Sequence, residues 1–294
     1  MLLPMSTRAP RVLRLGSLEI SPRSFGIMAV VNRTPDSFYG RYATYGFGAA
    51  LDAASQAVTD GAHIVDIGGV RAGPGEDVPP AMEIDRVAGL VAAVRDRHPD
   101  VVISVDTWRA EVGEVVAQAG ADLLNDAWGG ADPRLAEVAA ARGTGLVCSH
   151  AGGLPPRTRP LRPAYADVLA DVAADVTGYA ERAVAAGVSR DSILVDPCHD
   201  FGKNTWHSLE VTRRLGELAA TGWPVLTAVS HKDFIGETLG LGVEQRGEGT
   251  IAVLAVSAWL GARVFRVHDV PAARAALAAV ADMLTPTSAR TRRT

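Results

Sequence analysis

The sequence predicts an α/β fold in which eight parallel strands and their helices close into a single (β/α)8 barrel. An alanine-rich amphipathic stretch that stops at a glycine is followed repeatedly by a short β-branched run. Six such runs follow a glycine, and two more, at residues 26–31 and 101–105, make eight; they are rich in Val, Ile and Leu, as strands are when helices cover the faces of a parallel sheet. The length of 294 residues is also compatible with one barrel domain, which typically has about 250 residues.

The eight candidate strands are separated by segments long enough to form helices. In chain order they span residues 26–31, 63–67, 101–105, 121–124, 145–148, 192–195, 225–229 and 263–267. An open, doubly wound sheet is the alternative, but that fold usually has a glycine-rich turn after its first strand. Here that turn reads Asn32-Arg33-Thr34-Pro35-Asp36, which favours the barrel.

The barrel domain is predicted to span residues 20–284. Residues 1–19 are expected to be a loose N-terminal segment, and residues 285–294 a disordered basic tail, because both lack a periodic apolar pattern.

The composition argues against several classes of function. A formal net charge of −4, with 48% hydrophobic and 21% charged residues, is ordinary for a globular enzyme, so neither a nucleic-acid nor a membrane partner is expected. The chain has only two cysteines, Cys148 and Cys198, and shows no pattern of a signal peptide or a membrane span. A cytoplasmic location is therefore expected.

Nearly every candidate strand has a polar or ionisable residue at or next to its carboxyl end. These residues are Asn32, Asp66, Asp106, Asn125, His150, Asp196, Ser230 and His268. Because the carboxyl ends of barrel strands converge on one mouth, where barrel enzymes have their active sites, we expect these side chains to form a ring there. Taken singly, each is more typical of a helix cap or a loop anchor.

A collinear series of motifs lies on these strands and on the loops that follow them. The motifs are Asn32-Arg33-Thr34-Pro35-Asp36-Ser37-Phe38, Asp66-Ile67-Gly68-Gly69, Ser104-Val105-Asp106-Thr107, Asn125-Asp126, Asp196-Pro197, Phe201-Gly202-Lys203, Ser230 with Lys232, and Arg266-Val267-His268-Asp269. Over about residues 20–284 the series resembles that of dihydropteroate synthases. The resemblance implies a TIM barrel that joins p-aminobenzoate to a pterin in folate biosynthesis.

The resemblance implies that Asp106, Asn125, Asp196 and Lys232, together with Phe201, bind the pterin. Two carboxylates, an amide and a lysine suit the donor and acceptor edge of that flat ring. The alternative is that Asp196 and Lys232 form a buried ion pair with a purely structural role at the barrel mouth.

The family reaction expels pyrophosphate, so its site must stabilise a polyanionic leaving group. The resemblance implies that Asn32 contacts Mg²⁺. It also implies that the anion is bound by Asn32, Arg266 and His268, and that the catalytic residues are Arg266, His268 and Lys232. Alternation along the last strand puts Arg266 and His268 on one side. The alternatives are an ion pair between Arg266 and Asp269 and a purely structural His268.

Two loops depart from the family pattern. After the second strand the family has Glu-Ser-Thr-Arg-Pro-Gly in a mobile loop that helps to close the site, whereas this chain has Val70, Arg71, Ala72 and Gly73. The hydroxyls are therefore absent, and the arginine is displaced by two positions. In the first loop, Arg33 replaces a small apolar residue.

Two further departures follow the sixth and seventh strands. Cys198, His199 and Asp200 replace the family's Gly-Phe-Gly, and the Cys–His pair lacks zinc-site spacing. His231 replaces an arginine, and Asp233 replaces a serine or a basic residue. Asp233 opens a helix beside the position expected for the p-aminobenzoate carboxylate, where its charge would occupy the helix N-terminus and repel the substrate. A plain helix cap is the alternative.

Because the departures fall on the loops and on the acceptor side, the sequence predicts a dihydropteroate synthase homologue that keeps its pterin pocket but has lost or strongly reduced synthase activity. Three alternatives remain. They are an active synthase in which Arg33, Arg41 and Arg71 handle the anion, a non-catalytic pterin-binding or regulatory protein, and an enzyme that transfers the pterin to another nucleophile. The family is usually dimeric, which implies a homodimer.

Overall fold

The computed structural model describes residues 12–34, 46–158 and 164–285. It contains a short antiparallel hairpin, β1 (Leu13–Leu15) and β2 (Leu18–Ile20), and a sheet of eight parallel strands. The parallel strands are β3 (Gly26–Asn32), β4 (Ile64–Gly68), β5 (Val102–Asp106), β6 (Leu123–Asp126), β7 (Gly145–Ser149), β8 (Ile193–Asp196), β9 (Leu226–Thr227) and β10 (Val264–Val267).

The parallel sheet closes into a barrel. Its hydrogen-bonded order is β8-β7-β6-β5-β4-β3-β10-β9. Just before β9, Val225 forms a parallel bridge with Val195 of β8, and the Val195 amide donates to the Pro224 carbonyl at 2.9 Å. The predicted (β/α)8 barrel is therefore confirmed, and each predicted strand overlaps an observed one.

Helices surround the barrel. They are α1 (Phe47–Asp60), α2 (Pro80–Arg97), α3 (Ala110–Gln118), α4 (Arg134–Arg142), α5 (Val168–Ala186), α6 (Thr205–Arg213), α7 (Leu215–Ala219), α8 (Asp233–Leu239), α9 (Gly247–Trp259) and α10 (Val270–Leu284). As the pattern predicts, Gly61 and Gly187 end α1 and α5 in the left-handed conformation, which glycine adopts without steric cost. No helix in the described ranges is long and apolar enough to cross a bilayer.

Strand side chains alternate between the helix-facing surface and the barrel interior. On β8, Ile193 and Val195 belong to the outer core, whereas Leu194 packs in the interior. On six strands such an apolar interior residue is followed two positions later, toward the mouth, by a polar one. We call these six residues the polar layer: Asp66, Ser104, Asn125, Ser149, Asp196 and Arg266.

The hairpin β1–β2 closes the opposite end of the barrel. Leu13, Leu15 and Ile20 are buried in the same interior cluster as Met28. The prediction of a loose segment through residue 19 is therefore wrong for residues 13–19, because apolar side chains on one face of the hairpin fill the barrel bottom. Residues 1–11, and residues 286–294 of the predicted basic tail, lie outside the described residues.

Candidate functional site

Asp66 is the centre of the polar layer. Its Oδ1 accepts a hydrogen bond from Ser104 Oγ at 2.6 Å, and its Oδ2 accepts from Asn125 Nδ2 at 3.2 Å and from Arg266 Nε at 2.6 Å. The side chain is fully buried, and a buried carboxylate requires such donors. Asp66 therefore orients Asn125 and Arg266 at the barrel mouth.

Arg266 bridges two carboxylates, because its second guanidinium nitrogen donates to Asp106 Oδ2 at 3.1 Å. The alternative pairing with Asp269 is wrong, since Asp269 instead caps α10 by accepting from the Ala272 amide. Burial raises the pKa of Asp106 to about 7, while Arg266 opposes the rise and Asp66 adds to it. Asp106 can therefore change protonation near neutral pH.

Asp196 and Lys232 lie on the other side of the mouth. Asp196 Oδ1 accepts from the Cys198 amide at 2.7 Å, and burial raises the pKa of this carboxyl, against the lowering effect of Lys232. Lys232 Nζ donates to the His199 carbonyl at 2.7 Å and lies 4.4 Å from the centroid of the Phe201 ring. The ammonium is thus held by a carbonyl and an aromatic face rather than by a direct ion pair with Asp196.

An aromatic wall, formed by Trp108, Trp128 and Phe201, extends from this side. The Trp128 ring meets Phe201 edge to face with centroids 5.2 Å apart, and Trp108 lies 6.5 Å beyond it. Neither tryptophan is among the site residues predicted from the sequence. Their positions could have identified them as site residues, since Trp108 follows Asp106 by two residues and Trp128 follows Asn125 by three.

Asn32 and His268 lie at the mouth on the neighbouring strand ends of β3 and β10. A Cβ placed on Gly68 would be 3.2 Å from Asn32 Oδ1, so the amide lies over that glycine. His268 Nδ1 contacts Ser230 Oγ at 2.9 Å, and burial, reinforced by Arg266, lowers the pKa of His268 to about 3. His268 is therefore neutral at physiological pH.

The loop after β8 keeps a backbone path that suits glycine. Cys198 has φ 51° and Asp200 has φ 68°, a left-handed conformation that costs most residues about 1–2 kcal/mol. Lys203 supports this path from beneath, because its Nζ donates to the carbonyls of His150, Cys198 and Phe201 at 2.9–3.2 Å. The sequence places Lys203 in a motif but does not predict this role.

The adjacent Cys198 and His199 have no reactive chemistry here. Burial raises the pKa of Cys198 to about 12, so the thiolate that a nucleophile requires is absent at neutral pH. Burial lowers the pKa of His199 to about 3, and its Nε2 contacts Thr212 Oγ1 at 3.0 Å. Both side chains belong to the packing beneath the loop.

Asp200 occupies the N-terminus of α8. Its Oδ2 accepts from the Asp233 amide at 2.6 Å and from the Phe234 amide at 3.3 Å. The Asp233 side chain is 77% exposed and pairs with Arg246 at 2.8 Å. The prediction that Asp233 itself fills this helix N-terminus is therefore wrong, because the carboxylate that does so arrives from the loop after β8.

Arg33 is held away from the barrel axis. Its guanidinium donates to the carbonyls of Asp85 and Arg86 on α2 and lies 5.4 Å from the centroid of the Phe47 ring. Arg41 lies outside the described residues. These contacts argue against Arg33 as a replacement anion ligand.

The substituted second loop is tied to the loop after β7. Arg157 donates to the carbonyls of Gly73 and Glu76, and Val70 is buried at the start of the loop. Arg71 and Ala72 are half-buried. An arginine from another loop thus fixes the segment that, by resemblance, is mobile in the family.

One group of potential metal ligands lies outside the mouth. The ligand atoms of His150, Asp171 and Asp175 lie within 4.8 Å of one another. However, Lys203 Nζ lies 2.6 Å from His150 Nδ1, so an ammonium already supplies positive charge beside the two acids. We interpret the group as part of the support for the loop after β8.

Comparison with known proteins agrees with this arrangement. A family model described as "Pterin binding enzyme" matches residues 28–268. An "Inactive dihydropteroate synthase 2" of Mycobacterium leprae is 57% identical over 261 residues, covering 87% of this chain and 90% of that protein. A dihydropteroate synthase of Bacillus subtilis is 39% identical over 248 residues, covering 83% of each chain.

A crystal structure of dihydropteroate synthase from Yersinia pestis with a sulfonamide drug complex is similar in fold. Its TM-score is 0.87 at 33% sequence identity, and the match covers 93% of this chain and 99% of that one.

Proposed function

The chain belongs to the pterin-binding enzyme family, and on that premise we propose that it is a dihydropteroate synthase homologue that binds a pterin but has lost or strongly reduced synthase activity. The observation that carries this proposal is the Asp200 carboxylate on the α8 amides, beside an intact polar layer. The name of the Mycobacterium leprae relative supports the same conclusion.

The pterin side of the mouth retains suitable hydrogen-bonding groups. Asp106, Asn125 and Asp196 offer oxygen acceptors and Lys232 an ammonium donor, on a frame that Asp66 and Arg266 hold in place. Burial gives such polar contacts their specificity, since a mismatched ligand leaves them unpaired. Phe201 adds an aromatic face next to Lys232.

The acceptor side lacks a free place for a carboxylate. By the family resemblance, p-aminobenzoate would direct its carboxylate toward the start of α8, where Asp200 already accepts from two amides. An incoming carboxylate would meet a like charge and no free amide donors. This arrangement accounts for a loss of transfer to p-aminobenzoate without a loss of pterin binding.

The proposal also covers the residues that would hold magnesium and the pyrophosphate leaving group. Asn32 offers one amide oxygen at the edge of the mouth, which fits an ion held mainly by ligand phosphates and water. Bound magnesium would neutralise charge on a pyrophosphate. Of the catalytic residues implied by resemblance, Lys232 contacts a carbonyl, Arg266 contacts two carboxylates, and His268 is neutral.

A paired binding and turnover measurement tests the proposal. The purified protein is expected to bind 6-hydroxymethyl-7,8-dihydropterin pyrophosphate in calorimetry with magnesium, yet to make no measurable dihydropteroate after p-aminobenzoate is added. The Bacillus subtilis synthase serves as the positive control. Turnover close to that of the control would contradict the loss of activity, and absence of pterin binding would contradict the pocket.

We further propose that the protein is a cytoplasmic homodimer. Cys148 and Cys198 are both buried free thiols, as is usual in a reducing compartment. Val256 and Trp259 on α9 and Met283 on α10 are exposed apolar side chains on neighbouring helices, a surface suited to a second copy. Sedimentation analysis of wild type and Trp259→Glu would test the dimer.

A further inference from the structure

The hydroxyl of Ser149 is a buried polar group without a hydrogen bond among the described residues. The residue is 3% exposed and ends β7. Buried polar groups in native proteins are almost always paired, and an exception calls for an explanation. A ligand that completes the missing hydrogen bond is one such explanation.

The strand register shows where this hydroxyl points. Ser149 pairs with Asp196 of β8, and Val147, two residues earlier on β7, pairs with Asn125 of β6. Paired residues on parallel strands face the same side, and Val147 lies in the barrel interior. Ser149 therefore faces the mouth between Asn125 and Asp196.

The two flanking residues define the chemistry of the group that fits there. Asn125 uses its amide nitrogen on Asp66, which leaves its Oδ1, and Asp196 uses Oδ1 on the Cys198 amide, which leaves its Oδ2. Both remaining atoms are hydrogen-bond acceptors. A ligand group that reaches between them must therefore donate, and an exocyclic amino group on a flat ring has two N–H bonds, one for the Ser149 oxygen and one for a flanking acceptor.

We propose that Ser149 is a specificity-determining residue whose hydroxyl oxygen accepts a hydrogen bond from the amino group of a bound aminopyrimidine-type ring, namely the 2-amino group of a pterin. This inference rests on the pterin pocket proposed above. Recognition of a donor by buried acceptors discriminates strongly, because a ring without the amino group leaves those acceptors unpaired.

The test compares two ligands and two variants. Calorimetry measures binding of 6-hydroxymethylpterin and of its 2-deamino analogue to wild type, Ser149→Ala and Thr144→Val. Thr144 is the matched control, because its hydroxyl is also buried and without a hydrogen bond in the described chain, but it precedes β7 at the opposite end of the barrel. Thermal unfolding is recorded for all three proteins.

Ser149→Ala is expected to weaken pterin binding about 3- to 10-fold, the usual effect of one lost hydrogen bond, and to leave binding of the deamino analogue unchanged. Its melting temperature should equal or exceed that of wild type, because the variant removes an unpaired buried hydroxyl. Thr144→Val should bind both ligands as wild type does.

Three outcomes would overturn the inference. If Ser149→Ala lost the same affinity for both ligands, the hydroxyl would not contact the amino group. If Ser149→Ala bound the pterin as wild type does, Ser149 would not contribute to the pocket, while the proposed function would still stand. A wild type that binds neither ligand would refute the pterin pocket itself, and the inference with it.

Discussion

Replacing Asp200 with glycine should open the acceptor side of the mouth. The variant removes the carboxylate that accepts from the Asp233 and Phe234 amides and returns a flexible residue to a position with φ 68°. The two amides at the start of α8 then become available to a ligand carboxylate.

The effect on stability should be small, because two contributions oppose each other. Relief of the left-handed conformation stabilises the folded state by about 1–2 kcal/mol, and loss of a capping side chain destabilises it by about 0.5–2 kcal/mol. We therefore expect the free energy of unfolding of Asp200→Gly to stay within about 1 kcal/mol of wild type. A change in ligand binding can then be attributed to the site.

The effect on acceptor binding should be large. Two unit charges about 4 Å apart repel by roughly 4 kcal/mol at an effective dielectric constant of 20, an upper guide that corresponds to about 1,000-fold in affinity. Solvent screening reduces this value, because Asp200 is only half-buried. Affinity for p-aminobenzoate should rise by about 10-fold or more.

Calorimetry with p-aminobenzoate, in the presence of saturating pterin pyrophosphate and magnesium, measures this gain. Asp200→Asn is the matched control, because its amide oxygen still accepts from the same two amides but carries no charge. We expect the asparagine variant to gain the part that comes from the lost charge, and the glycine variant to gain more, because only glycine also frees the Asp233 and Phe234 amides. A folded Asp200→Gly that binds no better than wild type, or an asparagine variant that gains equally, would refute occupation of this position as the cause.

Two further predictions concern stability. Leu15→Ala should lower the free energy of unfolding by about 2–5 kcal/mol in urea titrations, because Leu15 is buried in the barrel interior. Arg14→Ala on the same strand should change the free energy of unfolding by less than about 1 kcal/mol. Similar losses of stability in the two variants would contradict the role of the hairpin in closing the barrel. Since the pKa of Asp106 is raised to about 7, the stability associated with its proton is fully present below about pH 4 and is lost as pH rises through 7. Wild type should therefore lose about 1–3 kcal/mol more than Asp106→Asn between pH 5 and pH 8 in parallel denaturation, and identical pH profiles would contradict the raised pKa.

The barrel and its mouth were predictable from the sequence because they depend on local periodicity. The apolar runs around Ile64, Val102 and Leu194 predict strands without any knowledge of their partners. The hairpin was also readable, since Leu13, Leu15, Leu18 and Ile20 alternate with polar residues around Gly16, but the nearby arginines suggested a solvated segment.

The partners of the site residues were not predictable, because they come from remote parts of the chain. Arg266 pairs with Asp66 across 200 positions, and Asp200 reaches the Asp233 amide across 33. Sequence alone identified Asp233 as an acid at a helix start, which suggested a cap. Only the three-dimensional path of the loop after β8 shows that another acid reaches those amides first.

The hairpin plug also determines how the protein can be handled. Since β1 and β2 seal the end of the barrel opposite the mouth, and α10 returns the chain toward that same end, both described termini lie away from the site. An affinity tag or a sensor-chip linkage attached at either end of the described chain should therefore leave the mouth facing the solution. The sealed end also prevents a ligand from passing through the barrel, so that small molecules enter and leave from one side only.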